Sequence, residues 1–150
     1  MKISEVLEKD AIIEDLKSQD KRGVIEELII PVAASSGIDK EKLIRVLMER
    51  EKLGSTGIGN GIGFPHGKLK NLDSLILGFG LSKKGVDFES IDDRPTHIFF
   101  LLVTSEDSTG LHLKLLAQIS KTLKNEAFRK QLLKATDKDE IMSIIEEYEE

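Results

Sequence analysis

The sequence contains no cysteine and no tryptophan, and its aromatic residues are six phenylalanines and one tyrosine. Without cysteine the chain has no disulfide, no thiolate nucleophile and no thiolate ligand for zinc. Nucleic-acid-binding proteins usually combine a basic surface with aromatic side chains that stack on bases. This chain has few aromatics and a net charge of −5. We therefore exclude thiol chemistry and expect no nucleic-acid partner.

Long apolar segments are missing as well. The longest uninterrupted apolar run is Ile98 to Val103, six residues, whereas a membrane-spanning helix needs about 20. The first ten residues carry charges throughout and contain no apolar signal core. The sequence also has no H-E-x-x-H motif and no Cys/His cluster, so we expect neither a metal nor another cofactor. The prediction is a cytoplasmic protein without membrane insertion.

The rest of the composition is typical of one globular domain. The 150 residues are 39% hydrophobic and 33% charged, a balance that supports a packed core. Apolar residues at three- and four-residue spacing predict helices at residues 4–10, 18–36, 39–53 and 111–123 and in two segments after residue 125. Short apolar runs predict strands at residues 11–13, 75–81 and 97–103. This order indicates an α/β domain with helices on both faces of a small sheet.

Several local signals refine this pattern. Ser4 is expected to cap the first helix, Ser18 or Asp20 the second, and Asp137 or Asp139 the last. Pro31 is expected to kink or interrupt the second helix, because proline lacks the N–H that the helix needs. The acidic end EEYEE, residues 146–150, is expected to be solvated and frayed.

The stretch GIGNGIGFPHGK, residues 57–68, has glycine at every second position from 57 to 63. It is not a P-loop, because Ile62 stands where the first glycine is required, and no starting position gives the dinucleotide fingerprint. If residues 57–63 are extended, the glycines share one face, where bare backbone allows close approach by another molecule. Ile58 and Ile62 would then point toward a core. A tight strand crossing or bulge without a ligand is the alternative.

His66 follows the glycines and stands between Pro65 and Gly67, at a stiff strand end. An imidazole with an ordinary pKa of about 6.5 is largely neutral near pH 7 and suits nucleophilic attack on phosphorus. His66 has the same strand parity as Ile62 and Phe64, so this role requires Pro65 or Gly67 to break the register. A buried structural histidine is the alternative.

A phosphoryl-accepting histidine needs donors for the phosphoryl oxygens. Arg50, near the end of a predicted helix, and His112, at the start of another, are the candidates. An ordinary solvated charge is the alternative for Arg50, and a partly exposed helix residue is the alternative for His112. His97 opens an apolar strand and is interpreted as a structural histidine.

The segment REKLGSTGIGNGIGFPHGK, residues 50–68, resembles the active-site motif of enzyme IIA proteins of the phosphotransferase system, fructose/mannitol family. It is most similar to the nitrogen-regulatory branch. HLKLLAQIS, residues 112–120, resembles the second histidine segment of that family. Many members have a small residue and an aliphatic one before Pro-His, where this chain has Gly63 and Phe64.

The resemblance implies one domain over residues 1–150, folded as a three-layer α/β/α sandwich on a mixed sheet. It implies that the ε-nitrogen of His66 accepts a phosphoryl group from the phosphohistidine carrier HPr or its nitrogen-branch relative. It matches His112 to the family's second active-site histidine and Arg50 to its active-site arginine, and both are expected to stabilise the phosphoryl group. No IIB or IIC domain is fused here, so the expectation is a standalone IIA protein.

Different roles remain open at this point. A regulator of the nitrogen branch would bind targets differently in its two phosphorylation states, and this interpretation is favoured. A transport component would pass the phosphoryl group to a separate EIIB protein during uptake of a fructose- or mannitol-type sugar. A binding module that is never phosphorylated is the rival from another class. A metal site built from His66, His97 and His112 is disfavoured, because no carboxylate has suitable spacing.

Overall fold

The fold is a mixed sheet between two layers of helices. The computed structural model describes residues 2–107 and 110–149, except for the side chains of 111 and 112. The helices are α1 (Ile3–Val6), α2 (Lys21–Ser36), α3 (Lys40–Lys52), α4 (Gly110–Leu123), α5 (Glu126–Lys134) and α6 (Lys138–Tyr148), with a 3-10 turn at Lys9–Ala11. The strands are β1 (Ile12–Ile13), β2 (Gly57–Gly59), β3 (Ile62–Gly63), β4 (His66–Leu69), β5 (Ile76–Val86) and β6 (Thr96–Ser105).

The two long strands, β5 and β6, are antiparallel and form the centre of the sheet. The strand order is β1-β5-β6-β3-β2, and β1 lies parallel to β5. β3 and β4 both lie parallel to β6 on the same side of it, one after the other. β2 pairs with β3 but not with β4. Among the described residues, β4 is therefore an edge strand.

Glycines distinguish the two faces of the sheet. A Cβ on Gly67 would lie 2.6 Å from Val46 Cγ1 of α3, and one on Gly80 would lie 2.6 Å from Leu28 Cδ2 of α2. α2 and α3 thus press directly on this face. Side chains alternate along a strand, so the immediate strand neighbours of these glycines, such as His66 and Phe79, face the opposite layer. That layer is α4, α5 and α6, with α5 packed on β5 and β6. The predicted three-layer α/β/α sandwich is confirmed.

Phenylalanines fill the core on both faces of the sheet. Phe79 and Phe100, paired across β5 and β6, lie edge to face with ring centroids 5.0 Å apart. Phe88 and Phe99 make the same arrangement at 5.1 Å on the α2–α3 side. All four rings are fully buried, and burying such a ring contributes about 1.5–3 kcal/mol. This core holds the strands that carry the candidate site.

Helix α2 begins as the sequence predicts, because the Asp20 side chain accepts a hydrogen bond from the Gly23 N–H at 2.8 Å. The helix continues through Pro31 to Ser36, so the proline does not interrupt it. Buried apolar residues on both sides of the proline, such as Ile29 and Val32, hold both halves in the core. Tertiary packing here outweighs the backbone hydrogen bond that proline removes.

The two ends of the chain differ from prediction. Helix α1 is shorter than expected, and Ser4 lies inside it instead of capping it. The described part of the acidic end, residues 146–149, is not frayed: the Glu149 carboxylate is buried and accepts hydrogen bonds from the Ser4 N–H, at 3.0 Å, and from the Ser4 hydroxyl. The Tyr148 ring packs against Phe128, with centroids 5.4 Å apart. Partners distant in sequence thus order this segment. Over the described ranges, no helix has the length and apolarity to span a bilayer.

Candidate active site

The glycine stretch folds as a β-hairpin instead of one extended strand. β2 and β3 are antiparallel, and Gly57 pairs with Gly63. Gly59, Asn60 and Gly61 turn the chain with positive φ angles of 93°, 57° and 76°, where glycine has no steric cost. The prediction that Ile58 and Ile62 share a core-facing side is wrong: Ile58 is 49% exposed and Ile62 is 4% exposed.

The remaining glycines of the hairpin make room for the chain itself. A Cβ on Gly57 would lie 2.9 Å from the Ser90 Cα, and one on Gly63 would lie 2.8 Å from the Phe99 ring. Residues of this protein occupy the space that a partner's surface was expected to fill. The alternative from the sequence, a tight crossing without a ligand, describes these glycines.

His66 begins β4 in unbroken register with the hairpin. Ile62 pairs with Ile98 of β6 and His66 with Leu102, so both pairs have the same offset across Pro65. The expected register break is therefore absent. The ring faces the α4–α6 layer, because Gly67 next to it packs on α3. It is nevertheless only half-buried, on the edge strand β4.

A hydrogen bond fixes the orientation and the tautomer of the His66 ring. Its Nδ1 lies 2.9 Å from the carbonyl oxygen of Phe64. A carbonyl oxygen only accepts, so Nδ1 carries the proton, and Nε2 has the free lone pair of a neutral imidazole. The Phe64 ring stands edge to face against the imidazole at 6.1 Å. Nε2 is therefore the nitrogen available for nucleophilic attack.

Arg50 is connected to the His66 segment but does not touch the ring through a described hydrogen bond. Its guanidinium, in the last turn of α3, donates from Nη1 to the Gly54 carbonyl at 3.0 Å. Gly54 leads into Thr56, whose carbonyl accepts the Phe64 N–H at 2.9 Å. Short segments thus join the arginine to the residue that orients His66.

His112 is the third residue of α4, in the helical layer that the His66 ring faces. Its side chain lies outside the described part of the structure, so its position relative to His66 stays a prediction. His97 has a structural setting that agrees with its interpretation from the sequence. Its Nδ1 lies 2.8 Å from the Ser82 carbonyl oxygen, and its ring occupies the space beside Gly85.

A buried ion pair that the sequence did not lead us to expect involves Glu51, the residue after Arg50. Glu51 is 5% exposed, and its Oε1 lies 3.0 Å from the Nζ of Lys21. A signal was present, since Glu51 continues the apolar spacing of Leu43 and Leu47 at intervals of four residues. The surrounding charged residues suggested a solvated face instead.

Comparison with known proteins decides the family. The family described as "Phosphoenolpyruvate-dependent sugar phosphotransferase system, EIIA 2" matches residues 5–148. The chain belongs to this family. The resemblance inferred from residues 50–68 and 112–120 is thereby confirmed. Membership makes this EIIA protein a phosphocarrier component of the phosphotransferase system.

Relatives of this EIIA protein are named either for fructose-specific components of the phosphotransferase system or for nitrogen regulation. The chain is 37% identical over 150 residues to the PTS system fructose-specific EIIABC component of Bacillus subtilis, covering 99% of this chain but 24% of that protein. It is 34% identical over 145 residues to the nitrogen regulatory protein of Bradyrhizobium diazoefficiens, covering 97% of this chain and 95% of that one.

A solved structure supports the fold of the EIIA chain. The nitrogen regulatory protein IIA-Ntr from Neisseria meningitidis superimposes with a TM-score of 0.89 at 28% identity, over 95% of this chain and 98% of that one. IIA mannitol from Escherichia coli gives a TM-score of 0.78 at 20% identity, over 92% and 97% of the two chains. The second likeness concerns the fold alone.

Proposed function

We propose that Nε2 of His66 accepts a phosphoryl group from the phosphohistidine of an HPr-like carrier protein in the cytoplasm. The observation that carries the proposal is the hydrogen bond from Nδ1 to the Phe64 carbonyl at 2.9 Å. It leaves the Nε2 lone pair free on a half-buried edge strand. The ring needs no reorientation before it attacks, which lowers the entropic part of the barrier.

The transfer exchanges one phosphorus–nitrogen bond for another. The Nε2 lone pair of His66 forms a bond to phosphorus while the bond to the donor histidine breaks, and the donor nitrogen keeps the electron pair. His66 retains its Nδ1 proton, so its ring carries positive charge after the transfer. The Phe64 carbonyl then accepts a charge-assisted hydrogen bond, which is stronger than the neutral one. No nucleotide enters this step.

Arg50 and His112 are the proposed stabilisers of the phosphoryl oxygens. A guanidinium has five N–H donors in a planar fork, and the bond to the Gly54 carbonyl uses Nη1. The same bond limits the motion of the fork, while donors on the other nitrogens stay available for oxygen atoms. His112 would add a donor from the first turn of α4, in the layer that His66 faces.

The favoured role is regulation through binding that depends on phosphorylation. The name of the Bradyrhizobium relative supports this role, and that relative matches this chain along nearly its whole length. A phosphoryl group adds about −1.5 to −2 charge near neutral pH. It would change affinity for a target that contacts the β4 edge. The exposed Ile58 is in the hairpin that precedes β4 in the chain. The alternative is a transport protein that passes the group to an EIIB domain.

Phosphorylation can be tested directly. Incubation with a phosphorylated HPr-like protein should add one phosphate that is stable in alkali and labile in acid, and His66→Ala should remove it. His97→Ala serves as the matched control and should be labelled as wild type. Absence of label from the wild-type protein would favour the binding module that is never phosphorylated. Equal labelling of His66→Ala would show that the assigned residue is wrong.

The regulatory role needs a second measurement. Partners captured from a cytoplasmic extract would be measured for affinity to the unmodified and the phosphorylated protein. The regulatory role predicts at least one partner with different affinities, and His66→Asp should mimic part of the difference, because a carboxylate carries one charge. Equal affinities would leave phosphoryl relay in sugar transport, since a modification without differential affinity shifts no equilibrium.

A further inference from the structure

Glu51 and Lys21 form an ion pair that is buried on both sides. The Glu51 side chain is 2% exposed and the Lys21 side chain 11% exposed, with 3.0 Å between Oε1 and Nζ. The Lys21 Nζ also lies 5.1 Å from the centroid of the Phe88 ring and 3.7 Å from the carboxylate of Glu89. A buried carboxylate loses hydration, so it stays ionised only with a close cation and with hydrogen-bond donors.

Besides the Lys21 ammonium, Thr56 supplies two donors to the Glu51 carboxylate. The Thr56 N–H donates to Oε1 at 3.0 Å, and the Thr56 hydroxyl donates to Oε2. An ionised carboxylate only accepts hydrogen bonds, so both contacts suit its charged form. Together they fix the position of the Thr56 peptide, just before the glycine hairpin.

From Thr56 the hydrogen bonds continue to the imidazole. The Thr56 carbonyl accepts the Phe64 N–H at 2.9 Å, and the Phe64 carbonyl accepts Nδ1–H of His66 at 2.9 Å. The next carbonyl, that of Pro65, accepts the Leu102 N–H at 3.0 Å and ties the same segment to β6. A chain of adjacent contacts thus leads from the buried carboxylate to the nucleophile.

We propose that Glu51, kept ionised by Lys21, is a positioning residue for His66. This inference rests on the proposed function of His66. Glu51 does not touch the reacting atoms; it holds Thr56, which holds Phe64, whose carbonyl selects the Nδ1–H tautomer. Loss of the carboxylate charge would loosen this chain and raise the population of the Nε2–H tautomer, which has no lone pair on Nε2. The phosphoryl-transfer step slows in proportion.

The chain offers a matched control for this proposal. Glu149 is also 5% exposed, and it also accepts a backbone N–H, at 3.0 Å, and a hydroxyl, both from Ser4. Among the described hydrogen bonds, none links its carboxylate to β4. Glu149→Gln therefore changes a buried carboxylate with the same pair of N–H and hydroxyl donors without affecting the contacts that orient His66.

The experiment compares the variant Glu51→Gln with Glu149→Gln and the wild type. Nitrogen NMR of the imidazoles reports the tautomer of His66, and transfer from a phosphorylated HPr-like protein gives kcat and KM. We expect Glu51→Gln to raise the Nε2–H population and to lower kcat about tenfold with KM unchanged. Glu149→Gln should keep the wild-type tautomer and kcat, even if its melting temperature falls by as much as that of Glu51→Gln.

The outcomes separate this proposal from the proposed function. A folded Glu51→Gln protein with wild-type tautomer and kcat would overturn the positioning role. Should it not fold, Thr56→Val deletes the hydroxyl contact alone, and an unchanged tautomer in that variant would overturn the role as well. If wild-type His66 accepts no phosphate, the proposed function fails, yet the tautomer of Glu51→Gln still tests whether Glu51 positions the ring.

Discussion

His66 and His97 make the same hydrogen bond in two different surroundings. Each ring is half-buried near the start of a strand, and each Nδ1 lies 2.9 or 2.8 Å from a backbone carbonyl oxygen. Both therefore carry the proton on Nδ1 and a lone pair on Nε2. Orientation and tautomer alone do not separate a nucleophile from a structural histidine.

The strands and backbone around the two rings differ. His97 is on β6, with strands on both sides, and a Cβ on Gly85 would lie 2.9 Å from its Cε1 and 3.2 Å from its Nε2. His66 is on β4, the edge strand of the described sheet, beyond the end of β2. The two histidines thus differ in their place in the sheet: His97 lies between paired strands and His66 on an edge strand, without a break of register at Pro65.

Replacing His66 or His97 with glutamine tests the comparison directly, and the His66 variant should show the largest effect on phosphoryl acceptance. His66→Gln should lower phosphoryl acceptance by a factor on the order of 10⁶, as expected when a nucleophile is removed. His97→Gln should keep the acceptance rate and lose about 0.5–1.5 kcal/mol of stability with its hydrogen bond. Rapid-quench labelling and thermal melts measure both quantities. A large loss of acceptance in His97→Gln would contradict the assigned roles.

Arg50 and His112 test the comparison further, because both are proposed to stabilise a phosphoryl group on His66 and neither is assigned a role at His97. Arg50→Ala should slow transfer by about 10²–10³-fold, the effect of removing one donor to the developing charge. The fold should stay intact, since the guanidinium is partly exposed and the described contact it loses is the one to the Gly54 carbonyl. His112→Gln should slow transfer without moving the phosphate from His66. Wild-type rates would make Arg50 a surface charge only.

Gly85 tests the packing that shields His97. Gly85→Ala adds a Cβ that would lie 2.9 Å from the His97 ring, at a φ of +91°. Crowding and the unfavourable φ should together cost about 2–4 kcal/mol, with phosphoryl acceptance unchanged. Gly37→Ala is the control, because its φ is +74° with open space around it. Equal destabilisation of the two variants in denaturant melts would mean that the ring is not tightly packed.

The smallest expected effect concerns the β2–β3 hairpin, whose Asn60 N–H donates to the Asp92 carboxylate. Hydrogen bonds from the Arg94 backbone, the Ser90 side chain and the Asn60 backbone lower the pKa of Asp92 below its ordinary value. Its contribution to stability is therefore complete above the unfolded pKa of about 3.9 and is lost as pH falls through the lower folded pKa. The protection factor of the Asn60 amide, its exchange rate relative to that of an unstructured amide at the same pH, should fall over that range. In Asp92→Asn this pH dependence should be absent; its persistence would point to another group.

The sequence predicted the parts of the site that depend on local chemistry. Short, nearly continuous apolar runs located β5 and β6, and the Pro-His-Gly context singled out His66 at a strand end. The hairpin could not be predicted by parity, because Asn60 takes a φ of 57° and reverses the chain within the glycine run. Alternation along a strand gives the correct face only while the strand continues.

Contacts between distant segments account for the remaining errors. Glu51 and Glu149 both read as solvated charges, and both are buried, because a lysine in one case and a serine in the other meet them from elsewhere in the chain. Spacing along the sequence does not show such partners. The place of His66 on an edge strand likewise depends on strand pairing.

The most direct test of the account is an NMR measurement on the phosphorylated, nitrogen-15-labelled protein. Coupling between phosphorus and nitrogen identifies the phosphorylated ring atom, and the remaining imidazole signals report which nitrogen keeps its proton. The account predicts coupling to Nε2 of His66, a proton retained on Nδ1, and an unmodified His97. Coupling to Nδ1 of His66, or to either nitrogen of His97, would contradict it.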